Sequence, residues 1–198
     1  MDFYDLHLPH VFCRLRDLCR CRCMCAIFFA IIFLTGCAGD RRSHIIVSIP
    51  EQKMLLLQNK KLVAAYPVST SKFALGNAHG SNATPLGELR VRKKIGTGLP
   101  LGAVLKDRNF TGEILAVDAP GRDPIVTRIL WLDGLQKHNS NSYQRYIYIH
   151  GTPEERTIGT PASYGCIRMR SRDVVALYDR VGVGARVTVT TAPLPSIR

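Results

Sequence analysis

Between His44 and Val68 the chain reads HIIVSIPEQKMLLLQNKKLVAAYPV, and this stretch sets the architecture. His44 to Ile49 is a β-rich run stopped by Pro50. Lys53 to Leu57 and Leu62 to Val68 are apolar runs on either side of Gln58-Asn59-Lys60-Lys61, the pattern of a hairpin. Further along, Thr84-Pro85-Leu86-Gly87 is a turn into Glu88 to Lys94, where Leu89 and Val91 alternate with Glu88, Arg90 and Arg92. Ile125 to Trp131 and Tyr146 to His150 read as further strands. Arg186 to Thr190 alternates again as a closing strand, with Val187 and Val189 on one face.

One helix stands out. Ser171 is a good N-cap, Asp173 lies in the first turn, and Val174, Leu177, Tyr178 and Val181 follow at i, i+3, i+4 and i+7. Gly182 sits where a C′ glycine belongs. Many strands and one late α-helix predict a mainly β fold, a β-sandwich or partly closed β-barrel. Phe73 to Ala83 and Lys137 to Tyr143, rich in Gly, Asn and Ser, are expected to be loops of the kind that rim active sites.

Towards the N-terminus the pattern changes. Arg14, Arg16, Arg20 and Arg22 precede an apolar run from Ala26 to Leu34, too short to span a bilayer and suited to the apolar core of a signal peptide. The run ends Leu34-Thr35-Gly36-Cys37, which resembles the lipobox of bacterial lipoproteins: an apolar residue, two small ones, then the cysteine that takes the lipid. The competing reading is a core helix that happens to meet a cysteine. The expected organisation is residues 1–36 as a lipoprotein signal peptide, 37–44 as the lipidated Cys37 and a short linker, 45–191 as a catalytic domain and 192–198 as a tail. The linker from Ala38 to His44, at about 3.3–3.6 Å per residue, reaches roughly 25 Å and keeps the domain close to its membrane. Ala38 is not the aspartate of inner-membrane retention, so outer-membrane attachment in the periplasm is expected for a Gram-negative host.

Of the seven cysteines, Cys13, Cys19, Cys21, Cys23 and Cys25 lie in the leader, Cys37 is the lipidation candidate, and Cys166 remains. A metal or redox cluster at residues 21–25 has no partner histidines and would be removed with the leader, so that reading is set aside. A lone thiol in an exported domain is a candidate reactive group. The net charge is +12. A basic exported protein suits the stem-peptide carboxylates of a cell wall, and equally a simple solvated surface. No nucleic-acid motif accompanies the charge, so no nucleic-acid partner is expected.

His150 ends Tyr146-Ile147-Tyr148-Ile149 and is followed at once by Gly151; Cys166 follows Ser163-Tyr164-Gly165. A thiol needs deprotonation to become a nucleophile, and an imidazole can take its proton. Glycine before the nucleophile lets backbone N–H groups turn towards an oxyanion. On spacing alone, a buried cysteine near an exposed histidine explains the pair as well. Arg168 and Arg170 share a face with Cys166 if the segment is extended. They would lower the thiol pKa and receive substrate carboxylates, or else form ion pairs with the sheet and helix.

Tyr148-Ile149-His150-Gly151-Thr152 and Ala162-Ser163-Tyr164-Gly165-Cys166-Ile167-Arg168-Met169 together resemble the signature of the L,D-transpeptidase (YkuD-type) family. Val68-Ser69-Thr70, Thr84 to Gly87 and Leu130-Trp131-Leu132-Asp133-Gly134 are similar to other blocks of that family. The resemblance runs from about Ile45 to Thr191. It implies a β-rich fold with the cysteine at the base of a cleft under a mobile flap, no metal or organic cofactor, and peptidoglycan stem peptides as partners. Cys166 would attack the carbonyl joining meso-diaminopimelate to the terminal D-alanine of a tetrapeptide stem. His150 would take the thiol proton, its tautomer fixed by a carbonyl such as that of Gly151. Backbone N–H groups of Tyr164, Gly165 and Cys166 would hold the oxyanion, with Ser163 and Arg168 beside the substrate. An amine from another stem or from a wall-anchored protein would resolve the thioester. Tyr164 departs from the family's usual histidine, which leaves that position a backbone role.

Two alternatives remain at this level. Water as acceptor would give a carboxypeptidase or an amidase that frees wall-linked protein. Loss of catalysis would give a wall-binding lipoprotein, against which stand both Cys166 and His150.

Overall fold

The computed structural model describes residues 39–196. The expected leader and Cys37 lie outside them. Ten strands form one mixed sheet: β1 (Ser43–Ser48), β2 (Lys53–Gln58), β3 (Lys61–Pro67), β4 (Gly87–Ile95), β5 (Ala103–Lys106), β6 (Asn109–Ile114), β7 (Val126–Gly134), β8 (Tyr148–Gly151), β9 (Ile167–Met169) and β10 (Arg186–Thr190), with helix α1 (Ser171–Arg180) between the last two. Among the described residues, the mainly β architecture with one late α-helix is as expected. Its form is an open sheet ordered β3-β2-β1-β10-β4-β7-β5-β6, with β8 and β9 branching from β7.

The expected hairpin is β2–β3. Its two turn residues, Asn59 and Lys60, have φ of 50° and 66°, as the primed turns matching strand twist require. β1 pairs antiparallel with β2 and parallel with β10, Ile45 beside Val187, so the first and last strands of the domain meet. β7 carries the branch. It pairs with β4, with β8 and, at Val126, with β5. A register shift between Val126 and Ile129 accompanies a left-handed Thr127 (φ 72°), whose hydroxyl accepts the Gly102 N–H.

Alternation along β7, β8 and β9 sorts their side chains onto two faces. Leu130, Leu132, Ile149, Ile167 and Met169 join the main core with Val174, Leu177 and Tyr178 of α1. Each such fully buried side chain contributes about 1.5–3 kcal/mol. Ile129, Trp131 and Tyr148 face the other way and pack with Leu105 in a second, smaller cluster that Cys166 touches.

Three local expectations are corrected. The N-cap of α1 is Arg170, and Ser171 is the first helical residue. Its N–H goes to the Glu155 carboxylate and its hydroxyl accepts from Thr127, so neighbours do the capping from outside the helix. Val181 caps the C-terminus in an extended conformation. Gly182 is therefore no left-handed cap; a Cβ there would lie 2.9 Å from the Asp40 side chain, whose carboxylate accepts the Gly182 N–H. β8 begins at Tyr148, because Tyr146 is left-handed (φ 57°) and ends a turn. The β5–β6 hairpin was not foreseen at all.

Candidate active site

Cys166 and His150 are set on one face of the sheet by two parallel neighbours. β8 and β9 run side by side with Ile149 opposite Ile167 and His150 opposite Arg168. Strand alternation puts Tyr148, His150, Cys166 and Arg168 on the face away from the main core. The sulfur of Cys166 lies 3.4 Å from the Tyr146 carbonyl oxygen.

The loop before the cysteine is braced from behind. Ser163, 2% exposed, donates its hydroxyl to the Cys166 carbonyl at 2.6 Å and accepts the Gly165 N–H at 3.2 Å. Thr84 donates to the Gly165 carbonyl and accepts the Ser71 N–H, while Ser69 and Arg168 exchange backbone hydrogen bonds. The upstream blocks at 68–70 and 84–87 thus form the back wall of the cysteine loop. Gly165 has φ 110°, and a Cβ there would stand 3.1 Å from the Ala83 carbonyl oxygen. Only glycine fits without strain.

This bracing revises two assignments. Gly165 cannot offer its N–H to an oxyanion while Ser163 holds it. Ser163 itself is a buried brace, not a group facing substrate. The N–H groups of Tyr164 and Cys166 make no hydrogen bond among the described residues. The Tyr164 side chain is 63% exposed and turned away onto the rim, its ring 5.1 Å from that of Phe73 and its hydroxyl 3.2 Å from Lys72 Nζ.

His150 is buried, with Nδ1 2.9 Å from the carbonyl oxygen of Gly151. The carbonyl only accepts, so Nδ1 carries the proton and Nε2 keeps its lone pair. Gly151 is required by packing, since a Cβ would lie 2.7 Å from the Val126 carbonyl oxygen. Burial lowers the His150 pKa to about 4, against smaller upward pulls from the Gly151 carbonyl and Asp123. Burial also pushes the Cys166 thiol up to about 11, although the Tyr148 N–H, Arg145 and Arg168 favour its thiolate. Both groups rest neutral at pH 7.

Arg168 is not the carboxylate receiver that the sequence suggested. It is 3% exposed; Nη1 pairs with Asp123, and Nη2 donates to Thr157 Oγ1 at 2.8 Å and to Ser69 Oγ at 3.5 Å. Asp123 also accepts from Thr152, tying the segment after His150 to the same anchor. The alternative of internal ion pairing therefore describes Arg168. Arg170 is exposed and outside the site.

Several site residues were not anticipated: Tyr146, Arg108, Arg145 and Asp123. Arg145 donates to the carbonyls of Gly76 and Ala83, pinning the loop at 73–83 beside the cysteine. Arg108 stands at the tip of β5–β6, its guanidinium carbon 5.2 Å from the ring centres of both Trp131 and Tyr146. Two apolar residues, Val104-Leu105, and then Phe110 flank Lys106-Asp107-Arg108-Asn109. That was the available hairpin signal, weakened by the lack of glycine.

The model of the YkuD family, the L,D-transpeptidase catalytic domain, matches residues 42–189, and the chain belongs to that family. The chain is 28% identical over 147 residues to the putative L,D-transpeptidase YkuD of Bacillus subtilis (strain 168), covering 74% of this chain and 65% of that protein. It therefore spans just under two thirds of that relative's length. Against the putative L,D-transpeptidase YqjB of the same organism it is 28% identical over 172 residues, covering 84% of each. Its fold is similar to that of an L,D-transpeptidase from Mycobacterium smegmatis, with a TM-score of 0.51 at 18% identity over 75% of this chain and 58% of that one.

Proposed function

We propose that this protein is a cysteine acyltransferase of the bacterial envelope, an L,D-transpeptidase acting on peptidoglycan tetrapeptide stems. What carries the reading is the placement of Cys166, the one cysteine among the described residues, on the same strand face as His150, whose Nε2 is left free by the Nδ1 contact with Gly151.

The Cys166 sulfur attacks the carbonyl between diaminopimelate and terminal D-alanine as its proton passes to His150 Nε2. The oxyanion is held by the N–H groups of Tyr164 and Cys166. The imidazolium returns the proton to the leaving amine, D-alanine departs, and a thioester remains. An acceptor amine attacks that thioester, forming a new amide and restoring the thiol. A neutral resting pair suits this order, because the thiolate forms only as the carbonyl arrives. The protein is held to its membrane through a lipid on Cys37, the outer membrane if the host is Gram-negative. The fitting check there is fractionation of Cys37→Ser, which should lose the mature membrane-bound form.

The test of function is mass spectrometry of muropeptides after incubating the protein with tetrapeptide-rich sacculi. Cross-linked dimers that disappear with Cys166→Ala support the reading. Tripeptides without dimers would make water the acceptor, and unchanged sacculi would overturn catalysis.

A further inference from the structure

Two guanidinium groups act on the cysteine, those of Arg145 and Arg168, and both are held by the protein's own acceptors; a third, that of Arg108, stands over the aromatic cluster against which the cysteine packs. Arg168 is bound to Asp123, Thr157 and Ser69, and Arg145 to the carbonyls of Gly76 and Ala83. Arg108 makes no ion pair among the described residues. It rests over the rings of Trp131 and Tyr146 and beside the Tyr148 hydroxyl. Those residues belong to the surroundings of the thiol: Cys166 packs against the cluster that holds Trp131 and Tyr148, and its sulfur contacts the Tyr146 carbonyl. Arg108, Asp107, Leu105, Ile125, Ile129 and the two tyrosines line a depression of about 350 Å³ at this place.

Lys106 pairs with Asn109, so Asp107 and Arg108 form the whole turn, with φ of 48° and 69°. The turn is of the same kind as Asn59-Lys60 in β2–β3. Its effect here is to carry the Arg108 side chain out over the rings of Trp131 and Tyr146. A cation stacked on aromatic faces keeps its N–H edges open to an anion.

We infer that Arg108 is the carboxylate-recognising residue of this cleft, binding a carboxylate of the stem peptide close to the scissile carbonyl. The inference rests on the proposed function for the identity of its ligand, but its test requires no turnover. Two carboxylates of the stem offer the same chemistry, that of the terminal D-alanine and that of the D-centre of diaminopimelate.

The experiment is a titration of the protein carrying Cys166→Ala with synthetic tetrapeptide stem, followed by the fluorescence of Trp131, the one tryptophan of the chain. Adding Arg108→Gln should raise Kd about ten- to a hundredfold, the range of a hydrogen bond to a charged group, and Arg108→Lys should restore part of it. Peptides amidated at one or the other carboxyl form the second arm. Amidating the recognised carboxyl should weaken binding to the protein that keeps Arg108 and abolish its advantage over the Arg108→Gln variant. Arg108→Gly relaxes the turn, so its Tm should hold or rise while binding stays as weak as in Arg108→Gln. The inference is overturned if Arg108→Gln binds the stem as tightly as its parent, if Arg108→Gly binds normally, or if the loss is equal for both amidated peptides. None of these outcomes bears on Cys166, whose role is read by muropeptide turnover.

Discussion

His150 Nδ1 lies 2.9 Å from the carbonyl oxygen of Gly151, its own neighbour in the chain, so the imidazole is oriented by the backbone and needs no third side chain. Beside it, burial holds the Cys166 thiol up at about 11 and His150 down at about 4. The resting pair is therefore thiol and imidazole, not thiolate and imidazolium. Alkylation of Cys166 by iodoacetamide, followed by mass spectrometry of its peptide, should keep accelerating through pH 10. A rate that reaches its plateau below pH 7 would contradict a neutral pair.

The same burial links His150 to acid stability. Its folded pKa is depressed, so the unfolded chain binds the proton first as pH falls below about 6.5. The contribution is fully present above that pH and is lost as pH falls through about 4. His150→Gln should flatten the decline of denaturant midpoint between pH 6.5 and 4 relative to the parent. An unchanged slope would mean that the ring titrates normally.

Arg168 should behave as a strut. Arg168→Gln leaves Asp123 without its cation in a partly buried position, a loss of about 2–4 kcal/mol. Thermal unfolding should show the drop, with part of it recovered in Arg168→Lys. The folded Arg168→Gln protein should bind stem peptide with little change in Kd. A large rise in Kd with an unchanged Tm would restore Arg168 as a substrate contact.

Legibility in the sequence followed the range of the interactions. The β2–β3 hairpin could be read because Asn59-Lys60 is a local turn between apolar runs, and α1 because Val174, Leu177 and Tyr178 keep helical spacing. The pairing of Ile45 with Val187 has no local trace, since nothing in either segment names a partner about 140 residues away. Cys166 and His150 stood out by residue type. Their surroundings did not: Asp123 reaches Arg168 from a Gly- and Pro-containing loop, and the Ser163 hydroxyl captures the Gly165 N–H by a geometry that spacing does not encode. Ser171 looked like the better cap because cap preference is a local statistic, whereas here Glu155 supplies the acceptor from a separate turn.

The cysteine loop should be intolerant of any side chain at 165. Gly165→Ala places a Cβ 3.1 Å from the Ala83 carbonyl oxygen on a left-handed backbone, costing about 1–3 kcal/mol. Relief of that strain would move the Tyr164 and Cys166 N–H groups together. Acylation should therefore fall by on the order of 10² or more, as for a lost oxyanion donor, and by more than the change in Tm explains. Acylation at the parent rate would remove the loop backbone from the mechanism.

The most direct measurement is a single-turnover reaction of the protein with stem tetrapeptide, quenched in acid and analysed by peptide mass spectrometry. The expected result is a thioester on Cys166 carrying the stem less its terminal D-alanine, one per chain, absent in Cys166→Ala. Formation should slow by about 10² to 10⁴ in His150→Ala. An adduct on any other residue, or one that persists in Cys166→Ala, would contradict the assignment of the nucleophile.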